Sequence, residues 1–169
     1  MKYKDKKRYY FAFGSNLKHD QMLIRCPHAV LIGPAKISGW RLDFGGYSMR
    51  WRGGTATIVQ DKNAETWGAV YQIDNHCVKK LDRFETVHLH FYHHRKVGCK
   101  LKNGDVIKSY TYVKNKSKTK SRLPSFRYIN QIETGALECH IPKPYINNLS
   151  KFYPETKIQT RNLLPSKVI

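Results

Sequence analysis

The chain has 169 residues, which suits one domain with a core of its own. Its 40% hydrophobic and 12% aromatic content excludes a disordered chain, and no apolar run is long enough to span a bilayer. The balance is strongly basic, 31 Lys and Arg against 12 Asp and Glu, but no nucleic-acid-binding motif accompanies the net charge of +19 and nucleic acid is not the expected partner.

Residues 1–8 form a basic N-terminal segment with no apolar stretch, which argues against a secretory signal and for a cytoplasmic protein. Tyr9-Tyr10-Phe11-Ala12-Phe13 then reads as a buried strand. It stops at Gly14-Ser15-Asn16, where Gly tolerates unusual backbone angles and Ser and Asn bond nearby backbone. A short helix follows from Leu17 to Arg25. A strand, a polar turn and a helix start together aim backbone N–H groups at one spot, which favours a carboxylate or an oxyanion.

Ala29–Ile37 reads as a second strand interrupted near Gly33-Pro34, and Trp40–Phe44 alternates as a half-buried strand does. Residues 45–54 are a Gly-rich loop with Tyr47 and Trp51, suited to wall a ligand site. Thr55–Val59 and Thr66–Ile73 read as strands of an antiparallel hairpin turning at Asp61-Lys62-Asn63-Ala64. Asp74 or Asn75 caps a helix to Phe84 with Cys77, Val78, Leu81 and Phe84 on its apolar face.

Glu85 closes that helix, at the negative end of the macrodipole and near Phe84 and Phe91. Both surroundings raise a carboxyl pKa, which suits a general acid or base near neutral pH, although a solvated Glu past a helix end has the same sequence. A strand from His88 would place His88, His90 and His94 on one face, but no nearby Cys or carboxylate completes a metal set, so no metal is expected. The four cysteines, Cys26, Cys77, Cys99 and Cys139, have no paired spacing and read as reduced thiols.

The strand through Leu101 turns at Asn103-Gly104 and returns over Val106–Val113. Residues 114–122 read as a solvated basic loop. Pro124-Ser125 opens a helix with Phe126, Ile129, Ile132, Ala136 and Leu137 on one face, which leaves Tyr128 to point elsewhere. A last helix starts at Pro142 or Pro144, and residues 154–169 read as a polar tail. The fold class is α+β: a small curled, mainly antiparallel sheet or barrel with peripheral helices, over 9–153.

Several separated blocks resemble the gamma-glutamylcyclotransferase family. They are Tyr10–Leu17, Arg41–Gly45, Trp51–Ile58, Trp67–Tyr71, Leu81–Glu85 and Pro124–Tyr128, in order. The sequence departs from the family pattern at Phe13, usually Tyr, and at Thr86, usually Gly. The resemblance implies cyclisation of a gamma-glutamyl amide to 5-oxoproline, a place in glutathione metabolism, Glu85 as general acid and base, and no cofactor. It implies substrate contacts from Phe13, Gly14, Ser15, Asn16, Leu17, Tyr92 and Tyr128. Two other readings stand beside it: a catalytically silent relative that binds a small ligand or partner, and a basic nucleic-acid-binding protein. The particular gamma-glutamyl compound and the oligomeric state are left open.

Overall fold

The computed structural model describes residues 7–115 and 120–153. β1 (Arg8–Ala12) runs into the interior, with Phe11 and Ala12 fully buried, as its unbroken apolar sequence demands. The chain turns through a short 3-10 segment (Ser15–Leu17) into α1 (His19–Arg25). β2 (Val30–Ser48) and β3 (Gly53–Ile73) form a long antiparallel hairpin, and α2 (Asn75–Phe84) follows at once. β4 (Tyr92–Leu101) and β5 (Val106–Lys114) pair across the Asn103-Gly104 turn, where Gly104 takes φ +94. α3 (Phe126–Glu138), α4 (Lys143–Asn148) and a 3-10 segment (Leu149–Phe152) complete the described chain.

The strands close into a barrel in the order β1-β3-β2-β4-β5. All seams are antiparallel except the closing one, where Tyr10 of β1 meets Tyr110 of β5 in parallel. Closure removes the sheet edges that an open sheet would have to protect. The expected α+β class holds, with the sheet closed.

Three local expectations fail. The two strands expected between Ala29 and Phe44 are one strand, and the Gly-rich loop shrinks to the tip between Ser48 and Gly53. Asp61-Lys62-Asn63-Ala64 is no hairpin turn. The register passes from Ser38↔Glu65 to Trp40↔Gln60, so these four residues oppose Gly39 alone and bulge from the ladder. Their turn chemistry is present, with the Asn63 N–H donating to Asp61 Oδ1 at 3.1 Å, but it makes a bulge instead of reversing the chain.

The third failure concerns the cysteines. Cys26, just past α1, is disulfide-bonded to Cys77 in the first turn of α2, with Cα atoms 5.1 Å apart. Cys99 and Cys139 are free and buried. A separation of 51 residues gives no pairing signal; the bond depends on α1 and α2 lying together.

Candidate active site

A cavity of about 570 Å³ opens where the 3-10 turn, the β2–β3 tip and the end of α2 converge. Phe13, Gly14, Ser15, Asn16, Glu85, Tyr92 and Tyr128 all line it. Leu17 does not: it is 1% exposed, packed where α3 passes so close that a Cβ on Gly135 would lie 2.4 Å from the Leu17 carbonyl carbon. Its side chain packs beneath the turn rather than on the cavity wall.

Glu85 is the C-cap of α2, and its side chain is only 18% exposed. Burial raises its carboxyl pKa above the ordinary range, while Arg25 and Lys114 pull it down. Arg25 is the principal residue that sequence reasoning missed. Its Nη1 lies 3.6 Å from Glu85 Oε1 and donates to Asn16 Oδ1 at 2.8 Å. One buried guanidinium therefore joins the polar turn to the carboxylate. The guanidinium also lies 4.5 Å from the Phe84 ring centroid, so packing and charge hold it together. The available signal was position: Arg25 ends α1, the helix that the turn launches.

Asn16 is buried, and its side chain makes three hydrogen bonds. It accepts from Arg25 and from Gln21 Nε2 at 3.1 Å, and donates to the Tyr10 hydroxyl at 2.9 Å. Gln21 Nε2 also donates to Ser15 Oγ at 2.8 Å. This network fixes the shape of the turn from beneath.

Tyr92 and Tyr128 hold the two peptide groups that flank Ala56. The Ala56 N–H donates to Tyr128 Oη at 3.1 Å, and Tyr92 Oη donates to the Ala56 carbonyl at 3.2 Å. Tyr92 Oη also lies 2.9 Å from Thr55 Oγ1. Burial pushes the Tyr128 phenol up to about 12 and the Tyr92 phenol well above its usual value, so both stay protonated as donors. Gly14 sits tightly against Ala56 and Tyr128, since a Cβ there would meet Ala56 Cβ at 3.2 Å and Tyr128 Oη at 3.3 Å. The end of β2 contributes Tyr47, and the β2–β3 tip contributes Arg50 and Trp51.

Lys114 is not the solvated charge that its basic segment suggested. It is 7% exposed, its Nζ donates to the Gly45 carbonyl, and burial lowers its pKa to about 8. Residues 116–119 of that segment lie outside the described residues. The histidines do not share a strand face: His88 lies in a 3-10 turn (Val87–Leu89) and His90 takes φ 54. His93 and His94 do lie in β4, paired with Asn115 and Asp82. Among the described residues, no group of three or more His, Cys, Asp or Glu could hold a metal ion.

Residues 65–149 match the model of the AIG2-like family. The mouse gamma-glutamylcyclotransferase is 33% identical over 149 residues, covering 86% of this chain and 78% of that protein. The chain belongs to the gamma-glutamylcyclotransferase family. The human gamma-glutamylcyclotransferase is 32% identical over the same share of each chain. A solved structure named gamma-glutamyl cyclotransferase superposes with a TM-score of 0.84 at 30% identity, over 97% of this chain and 94% of its own. The Bacillus subtilis protein YkqA, at 21% identity and a TM-score of 0.74 over 95% of this chain and 56% of its own, shares the fold. Membership makes the chain an enzyme of the cyclotransferase type.

Proposed function

We propose that this cyclotransferase converts a gamma-glutamyl amide to 5-oxoproline and a free amine or amino acid, with Glu85 moving the protons. The observation that carries the reading is a partly desolvated carboxylate, raised in pKa, on the same cavity as the turn Gly14-Ser15-Asn16. Glu85 takes a proton from the substrate's α-ammonium. The freed amine attacks the γ-carbonyl carbon, and the carbonyl electrons move onto its oxygen. Backbone N–H groups of the Gly14–Asn16 turn bear that negative charge. On collapse the carbon–nitrogen bond of the amide breaks, protonated Glu85 returns its proton to the leaving nitrogen, and the ring nitrogen, which carries two protons after its attack, releases one to solvent to leave the neutral lactam.

The attack is intramolecular, so much of the work is to hold one folded conformer of the substrate. Tyr92 and Tyr128, each anchored to the backbone of Ala56, wall the site and offer hydroxyls. Phe13 adds an apolar face without a hydroxyl, and is 6% exposed. The steps call on no metal or organic cofactor. The reading includes a cytoplasmic enzyme acting on small gamma-glutamyl compounds, those of glutathione metabolism among them.

A panel of gamma-glutamyl amino acids, amines and peptides, assayed for 5-oxoproline, tests the proposal. Release from at least one compound is expected. No release from any, by folded protein, would contradict it.

A further inference from the structure

We propose that Cys26 and Cys77 form a reversible thiol–disulfide site, open to a low-molecular-weight thiol, whose oxidised form holds Arg25 against Glu85. The effect on turnover rests on the reading of Glu85 above; the exchange chemistry does not.

The bond joins the two helices that carry the site's charge pair. Arg25 directly precedes Cys26, and Glu85 closes the helix whose first turn holds Cys77. Arg25 contacts α2 through Glu85 at 3.6 Å and through the Phe84 ring at 4.5 Å. The covalent tie therefore sits one residue from the contact that it restrains.

The two cysteines are 1% and 4% exposed, yet a separate cavity of about 90 Å³ reaches them. Its wall carries His28, His76 and Lys80, with Asp74 3.6 Å from His28 Nδ1. Lys80, and the histidines when protonated, draw in an attacking thiolate and stabilise a departing one. Cys77 also lies in the first turn of α2, its N–H donating to the capping Asp74 Oδ1 at 2.6 Å, where the helix dipole favours a thiolate. In a reducing compartment, a disulfide in an enzyme is more commonly transient or redox-sensing than structural.

The exchange balances without further reagents. A thiolate attacks one sulfur of the Cys26–Cys77 bond and expels the other as a thiolate, leaving a mixed disulfide. A second thiolate attacks the incoming sulfur and releases the remaining cysteine. Both cysteines take protons, two external thiols become one disulfide, and two electrons enter the protein.

Opening the bond lets the end of α1 move away from α2. Glu85 then keeps Lys114 as its facing cation from β5, with the phenols of Tyr10, Tyr92 and Tyr128 around it, and loses much of the pull of Arg25. A smaller fraction of Glu85 is ionised at neutral pH. The expected loss in kcat is roughly 2- to 30-fold, the range for coupling through packed elements.

The test uses the full chain, titrated with dithiothreitol under native conditions. Alkylation and mass spectrometry follow Cys26 and Cys77, and 5-oxoproline release is measured against pH. Reduction should expose both thiols, lower kcat and move the acid limb of the profile to higher pH. Reoxidation with a small disulfide should reverse all three. Cys77→Ser should turn over at the reduced rate and ignore thiol, whereas Cys99→Ser should keep the response. If Cys77→Ser fails to fold, the wild-type titration alone decides. Cysteines that resist millimolar thiol in the folded state, or that open with no change in rate or pH profile, would overturn the proposal. Failure of the Glu85 reading looks different: exchange proceeds, but neither redox state releases 5-oxoproline, and the coupling falls with it.

Discussion

Glu85 was legible as a candidate because a carboxylate at a helix C-terminus is electrostatically misplaced. Its partners were not, because Arg25 and Lys114 reach it from α1 and β5, 60 residues before it and 29 after it in the sequence numbering. Burial makes Glu85 hold its proton more tightly in the folded chain than in the unfolded one. Well below the ordinary carboxylate range both states are protonated, and stability is at its fullest. As pH rises through that range the unfolded chain ionises first, so stability falls until Glu85 itself ionises. Glu85→Gln lacks this loss, and its stability relative to wild type should climb over that window in urea unfolding series. Lys114→Met removes one of the two cations that lower the Glu85 pKa. The acid limb of its pH–rate profile should therefore move to higher pH. Thr86 takes φ 49, a left-handed conformation that costs a β-branched residue roughly 1–2 kcal/mol. Thr86→Gly relieves that strain against the entropy glycine gives up, so a net gain of up to about 1 kcal/mol is expected in thermal or urea unfolding.

At the scale of elements, α2 was the most readable. Asp74 caps it and Cys77 and Leu81 are buried, as the spacing foretold, although Phe84 is half exposed where it meets Arg25. Asp74→Ala removes the acceptor for the Cys77 N–H and should cost about 1 kcal/mol, read by chemical denaturation. α3 was legible in extent, but its pattern misled on Phe126 and Leu137, which are 37% and 54% exposed. Tyr128 is buried with the apolar residues because its hydroxyl finds the Ala56 N–H. The long β2–β3 hairpin was fragmented in the reading because Gly33, Gly39 and Asp61–Ala64 look like breaks. In the barrel such residues supply bulges and corners, and period-2 patterning alone cannot distinguish a corner from an end. Gly135→Ala tests how α3 seats the turn. Its Cβ would meet Lys18 N at 2.3 Å, so a loss of stability and a weaker grip on 5-oxoproline are expected, measured by unfolding and by calorimetric titration.

For the molecule as a whole, barrel closure brings Gly14 to Asn16 onto one cavity with Glu85, although about 70 residues separate them in sequence. Local patterning supplied the strand types and helix starts, and the family resemblance pointed to the shared site. Neither could supply the parallel β1–β5 seam, the Arg25 bridge or the Cys26–Cys77 bond, because each depends on which elements finally touch. On the proposed mechanism, Glu85 carries the proton in a cyclisation held by the Gly14–Asn16 turn. The measurement that tests it most directly is the kcat for 5-oxoproline release by Glu85→Gln beside wild type, on the best gamma-glutamyl substrate, with 5-oxoproline binding as the check on the pocket. A fall of about 10²- to 10⁴-fold with binding retained is the predicted result. Undiminished turnover in the variant would contradict the account.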